Sequence, residues 1–64
     1  MNDEIKLAVS LKQAVVIRLR DGSTVIGWPE LLSDEEDQQF KLYDGEHVYT
    51  ISVHDVDTVS RVIV

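Results

Sequence analysis

His47 and His54 have the widest chemical repertoire in this chain, and both stand among carboxylates. Asp44 and Glu46 precede His47, and Asp55 and Asp57 follow His54. Imidazole and carboxylate together can hold zinc or a similar ion, provided that they converge. The sequence has no H-x-x-x-H or related spacing, so the two histidines are expected at different points of the fold and no metal is expected. The run Asp34-Glu35-Glu36-Asp37 is dense in carboxylates. It lacks the Asp-x-Asp-x-Asp-Gly register and the distal glutamate that a calcium loop needs. Nucleophilic catalysis requires a hydroxyl held by a base, and no serine lies in a nucleophile elbow or other local motif. The glycines form no phosphate-cradling loop. A chain of 64 residues also offers little room for a cleft of roughly 300 Å³. The chain therefore reads as non-enzymatic, with no cofactor and no evident small-molecule substrate.

Binding chemistry has more to work with. Trp28, Tyr43 and Tyr49 could form an aromatic surface. The alternation around Trp28 and Tyr49 assigns those two to the core, which leaves Tyr43, outward beside a turn, as the surface candidate. Arg18, Arg20 and Lys41 are expected to point outward and could converge on a phosphate. However, twelve acidic residues against six basic ones give a net charge of −6, so these cations are expected mainly to pair with acids. The same charge repels nucleic acid and anionic lipid, suits a basic partner, and helps a small domain stay soluble. The candidate partner-binding residues are Asp34, Glu35, Glu36, Asp37 and Tyr43. The expected partner is a basic protein, or a second copy paired through strand edges.

The elements that must position these residues are mostly strands. Val15, Ile17 and Leu19 alternate with Val16, Arg18 and Arg20; Asp21-Gly22 follows, then Thr24, Ile26 and Trp28 alternate with Val25 and Gly27. Two alternating runs around Asp-Gly predict a hairpin. A two-residue turn would pair Leu19 with Thr24, Ile17 with Ile26 and Val15 with Trp28, all on the buried face. Gly27 predicts a bend or a close backbone approach. Pro29, which has no N–H, is expected to end regular pairing or to lie on an edge. Leu31 and Leu32 would cover one end of the core. Ser33 and Glu36 have capping-box spacing, but no apolar helix follows. Gln39–Tyr43 reads as a third strand with Phe40 and Leu42 inward. A second Asp-Gly, at Asp44-Gly45, would pair Leu42 with His47 and Phe40 with Tyr49, turning Tyr49, Ile51 and Val53 inward. Val53–Val56 reads as a short turn and Thr58–Val64 as a last strand. Residues 2–13 carry two patterns. Ile5, Leu7, Val9 and Leu11 alternate as in a strand, yet Asn2 suits an N-cap and Asp3 and Glu4 suit a helix start.

This order of elements resembles the Sm-like and SH3-like small barrels. The resemblance is carried by Leu19, Asp21, Gly22 and Gly27, with Val15 and Ile17 before them, and spans roughly Asp3 to Val64. It implies an all-β, five-stranded small barrel with one short N-terminal helix, and it selects helix for residues 3–12. The whole chain, 1–64, is then a single domain. The Sm family binds RNA through a polar residue before the third strand and an arginine-glycine pair near the last hairpin. Here the corresponding segments read DEEDQQ and HDVDTVSRV, without such a pair. The resemblance thus carries the architecture, and RNA binding is the alternative function. The layout and the acidity also resemble the Rho-binding antiterminators, which bind the termination factor Rho and block its RNA site.

No run approaches the roughly 20 apolar residues that span a bilayer. The stretch MNDEIKLAVS is unlike a signal peptide, and the chain contains no cysteine. A cytoplasmic location is expected.

Overall fold

The computed structural model describes residues 3–31 and 38–63. A helix, α1 (Asp3–Leu11), leads into five strands: β1 (Val15–Leu19), β2 (Thr24–Leu31), β3 (Gln39–Tyr43), β4 (Val48–Ser52) and β5 (Val56–Arg61). A single 3-10 turn, η1 (Val53–Asp55), links the last two strands. All strand neighbours are antiparallel, in the order β4-β3-β2-β1-β5. The fold is thus all-β with one short N-terminal helix, as expected, but the sheet does not close into a barrel. β4 and β5 remain its two edges. No described helix is long and apolar enough to cross a membrane. Asn2, Leu32, the Ser33/Glu36 spacing and the Asp34–Asp37 run lie outside the described residues, as does the side chain of Leu31.

α1 begins with Asp3 and Glu4, whose charges complement the positive end of the helix dipole. Ile5 and Ala8, one turn apart, are fully buried, and the helix packs against β2 and β5. Lys12 ends it in the left-handed region at φ 56°. The Gln13 N–H then donates to the Ala8 carbonyl at 2.9 Å and the Lys12 N–H to the Val9 carbonyl at 3.3 Å. These bonds satisfy carbonyls that the last turn would otherwise leave open. Arg61, on β5, fastens the helix to the sheet. Its Nε donates to Glu4 Oε2 at 2.8 Å and a terminal nitrogen donates to Gln13 Oε1 at 3.1 Å. The core joins Ile5 and Ala8 to Val15, Ile17, Phe40, Leu42, Ile51 and Val56.

The first hairpin differs from expectation by one residue. Ile17 lies opposite Val25 and Val16 opposite Ile26. The Leu19 N–H donates to the Ser23 carbonyl at 2.8 Å and the Gly22 N–H to the Leu19 carbonyl at 3.0 Å. The loop is therefore Arg20-Asp21-Gly22, with Gly22 at φ 92°, a three-residue connection rather than a two-residue turn. A slip of one residue exchanges the faces of a strand. Ile26 and Trp28, expected inside, are 57% and 50% exposed, while Val25 is half-buried and Gly27 and Pro29 are buried.

The second hairpin is shifted by two residues, with Leu42 opposite Tyr49 and Phe40 opposite Ile51. Gly45 and Glu46 form its tip, and the Asp44 N–H donates to the His47 carbonyl at 3.1 Å. A shift of two preserves faces, so Phe40, Leu42 and Ile51 are buried as expected. Tyr49 shares their side of the sheet but lies near the strand end and is 41% exposed, so it is a rim residue and not a core one. Val53 packs against the core from η1.

β2 changes partners at Gly27. Residues 24–27 pair with β1 and residues 28–31 with β3. Pro29 continues the strand opposite Leu42, so it does not end pairing with β3; toward β1 it lies on a local edge, the other place expected for it. The odd-numbered residues of β2 aim their backbone groups at β1, and β1 starts at Val15, opposite Gly27. Pro29 lies beyond that ladder, so its missing N–H removes no bond.

Candidate functional site

The exchanged face of β2 brings apolar side chains together on the outer surface of the sheet. Register sets Val48 beside Tyr43 and Tyr43 beside Trp28. Beyond Trp28 a groove of about 370 Å³, larger than expected for so short a chain, is lined by Lys12, Gln13, Ala14, Trp28 and Val62. Ala14 and Val62 are joined by a backbone hydrogen bond of 2.9 Å. Ile26 lies two residues along β2 on the same face. Tyr43 and Val62 are 44% and 39% exposed, and Val48 matches Ile26 at 57%. The result is a row of exposed apolar groups across β4, β3 and β2, continued past half-buried Ala14 to Val62 just beyond β5. Charged and polar side chains flank it, with Glu30 opposite Lys41 on one side and Arg18 opposite Thr24 on the other. Scattered exposed hydrophobes are ordinary on a monomer, whereas a contiguous row with a polar rim marks a contact surface.

Tyr43 was the aromatic expected at the surface, and it is there. Its hydroxyl donates to the Gly45 carbonyl at 2.9 Å, which orients the ring along the second hairpin. Trp28 was missed. The signal that could have found it is Ser23, directly after Asp21-Gly22. Asp21 Oδ1 accepts from the Ser23 N–H at 2.8 Å and from its hydroxyl at 2.6 Å. Such a side-chain turn fixes Ser23 opposite Leu19 as the closing pair of the loop, and with it the register.

The second tip is organised by Asp44. Its Oδ1 accepts from the His47 N–H at 2.7 Å and the Glu46 N–H at 2.8 Å, and its Oδ2 accepts from the Tyr49 hydroxyl at 3.2 Å. These donors, the His47 N–H first, hold the Asp44 carboxyl below its ordinary value. The Ser23 hydroxyl and N–H do the same for Asp21. The negative charge of Asp44, followed by its hydrogen bond, pushes the Tyr49 phenol up.

The remaining candidates do not assemble. His47 Nδ1 lies 4.0 Å from Asp44 Oδ2 at the hairpin tip, while His54 is in η1. No group of three or more metal-ligating side chains converges among the described residues. Arg20 is engaged by its Nε with the His54 carbonyl at 2.7 Å. Arg18 and Lys41 lie on opposite sides of the apolar row, so the three cations form no phosphate site. The acidic candidates Asp34, Glu35, Glu36 and Asp37 fall in the connection between β2 and β3, the strands that carry Trp28 and Tyr43. Comparison with protein families, curated proteins and solved structures gave no match.

Proposed function

We propose that this protein is a non-enzymatic interaction module that binds a basic protein partner through the outer face of its sheet. The observation that carries this reading is the exposed row Val48–Tyr43–Trp28, continued by Val62 and bordered by Ile26. Tryptophan and tyrosine half in water bring large apolar area to an interface at low entropic cost, and they dominate binding energy where they occur. The net charge of −6 selects partners of opposite sign. Asp34, Glu35, Glu36 and Asp37 concentrate four of those charges between the two strands that present the aromatics, and so would guide a basic partner toward them. The small-barrel resemblance is compatible with such a role, including the Rho-binding antiterminators, whose known task is protein binding.

The test is affinity capture from the source cell with wild type and Trp28→Ala, followed by titration of the recovered partner. Trp28 is half exposed, so the variant should fold normally, as its thermal melt would show. Binding should weaken by about 30-fold or more, the effect of losing a hot-spot residue. Equal affinity for both proteins rejects the reading.

RNA binding is the second reading, and one observation favours it: aromatics on a sheet face beside Lys12 and Lys41 are the parts of a base-stacking platform. Net charge weighs against it. Fluorescence anisotropy with short single-stranded RNA near physiological salt should show no binding. A micromolar, salt-dependent dissociation constant would favour RNA over protein.

A further inference from the structure

We propose that the free edge of β4 is a strand-addition site for an extended, basic segment of the partner protein, with apolar residues at alternate positions. This rests on the interaction-module reading and specifies where and how the partner engages. The backbone defines the chemistry first. The Val53 N–H donates to Gln38 and the His47 carbonyl accepts from Asp44. The odd-numbered residues of this segment therefore aim their backbone groups at β3, while Val48, Thr50 and Ser52 aim theirs away from it. Among the described residues no strand pairs with that edge. A row of alternating N–H and C=O groups is matched by another extended backbone and by few other ligands.

The edge also lacks the devices that normally block such pairing. β4 reads VYTIS, five residues without charge, proline or glycine. The opposite edge is blunted, since β5 contains Asp57 and its pairing with β1 shifts register between Arg18 and Leu19. Side chains then specify the occupant. Val48 ends the outer apolar row, so a strand laid on β4 would extend the sheet, put every second side chain on the face that carries the row and set one of them beside Val48. Acids flank the strand in sequence, Asp44 and Glu46 in the hairpin before it and Asp55 in the η1 turn after it. A second copy is disfavoured by the same charges. Antiparallel β4–β4 pairing would bring Asp44 and Glu46 of each copy toward Asp55 of the other, and parallel pairing would set Asp44 and Glu46 against their own counterparts. A foreign segment with lysine or arginine at its ends meets neither penalty.

The probe is a synthetic peptide alternating valine with threonine and ending in lysines. Controls are the same peptide with glutamate ends and one N-methylated at alternate positions, which removes half of its backbone donors. Amide exchange and chemical shifts of the whole protein report the site. The lysine peptide should protect the Val48, Thr50 and Ser52 amides, and both controls should bind about tenfold more weakly or worse. Thr50→Pro deletes an outward donor without removing a bond to β3, and it should lower affinity to a similar extent. Thr50→Lys, which any strand edge tolerates, should do so by repulsion even if the proline variant fails to fold. No protection at these amides, equal affinity for the N-methylated peptide, or a discrete homo-oligomer by sedimentation overturns the proposal. If these tests fail while Trp28→Ala still weakens the natural partner, the edge assignment falls and the interaction module stands. If Trp28→Ala has no effect either, both fall.

Discussion

At residue scale, Gly27 and Asp44 have the clearest consequences. A Cβ added at Gly27 would fall on the Tyr43 carbonyl oxygen, 2.9 Å from its carbon and 3.1 Å from Leu42 Cγ. The obstacle is backbone, so a strand must move. Gly27→Ala should cost about 1–3 kcal/mol in urea unfolding, as overpacking does. It should also weaken partner binding, because the moving strands carry Trp28 and Tyr43. Asp44 bears on pH. Its carboxyl is held below the usual 3.8 by the His47 and Glu46 N–H groups, so folding favours the ionised form. The resulting stability is present above the unfolded value and is lost as pH falls through the lower, folded one. The urea midpoint should therefore drop below about pH 4, and Asp44→Asn should make that drop shallower. An identical acid profile for the variant would show that the turn's hydrogen bonds do not discriminate between the protonation states.

At the scale of elements, alternation and Asp-Gly made both hairpins legible, and Asp3 and Glu4 marked the start of the helix. Registers were not legible, because the same dipeptide serves two different loops. Gly22 is the last residue of a three-residue loop, whereas Gly45 is the first residue of a two-residue tip. The neighbours of each aspartate decide between these. Counting apolar bulk favoured burying Ile26 and Trp28, since the competing register turns Val25, Gly27 and Pro29 inward in their place. The structure adopts the latter because Leu42 and the Tyr43 backbone already fill the inner space at Gly27, while Ile5 and Ala8 cover the core from above. The candidate site was legible to the same extent: Tyr43 was visible, and Trp28 was hidden by the register. Ile17→Ala should cost about 2–4 kcal/mol as a buried truncation, whereas Ile26→Ala should cost about 0.5 kcal/mol or less. Equal losses in denaturant titrations would restore the two-residue turn.

For the whole molecule, charge is the governing quantity. Changing Asp34, Glu35, Glu36 and Asp37 to Asn or Gln lowers the net charge from −6 to −2, four fewer of the same sign. Association with the recovered partner should then slow and its salt dependence flatten, with stability unchanged or slightly higher, because remote charges act chiefly on the on-rate. Stopped-flow rates against ionic strength would check this, and matching slopes would remove the acidic run from the binding surface. The uncharged strand Val48–Ser52 has one more consequence. A short segment rich in β-branched and aromatic residues, open along one side, is the kind that seeds fibrils. The carboxylates around it act as gatekeepers, and they do so only while ionised. Near the isoelectric point of about 4.5 the net negative charge that holds copies apart disappears, although the Asp44 carboxylate itself is still ionised. The edge proposed for partner binding is then the place where mild acid is expected to start aggregation, with the fold still largely intact.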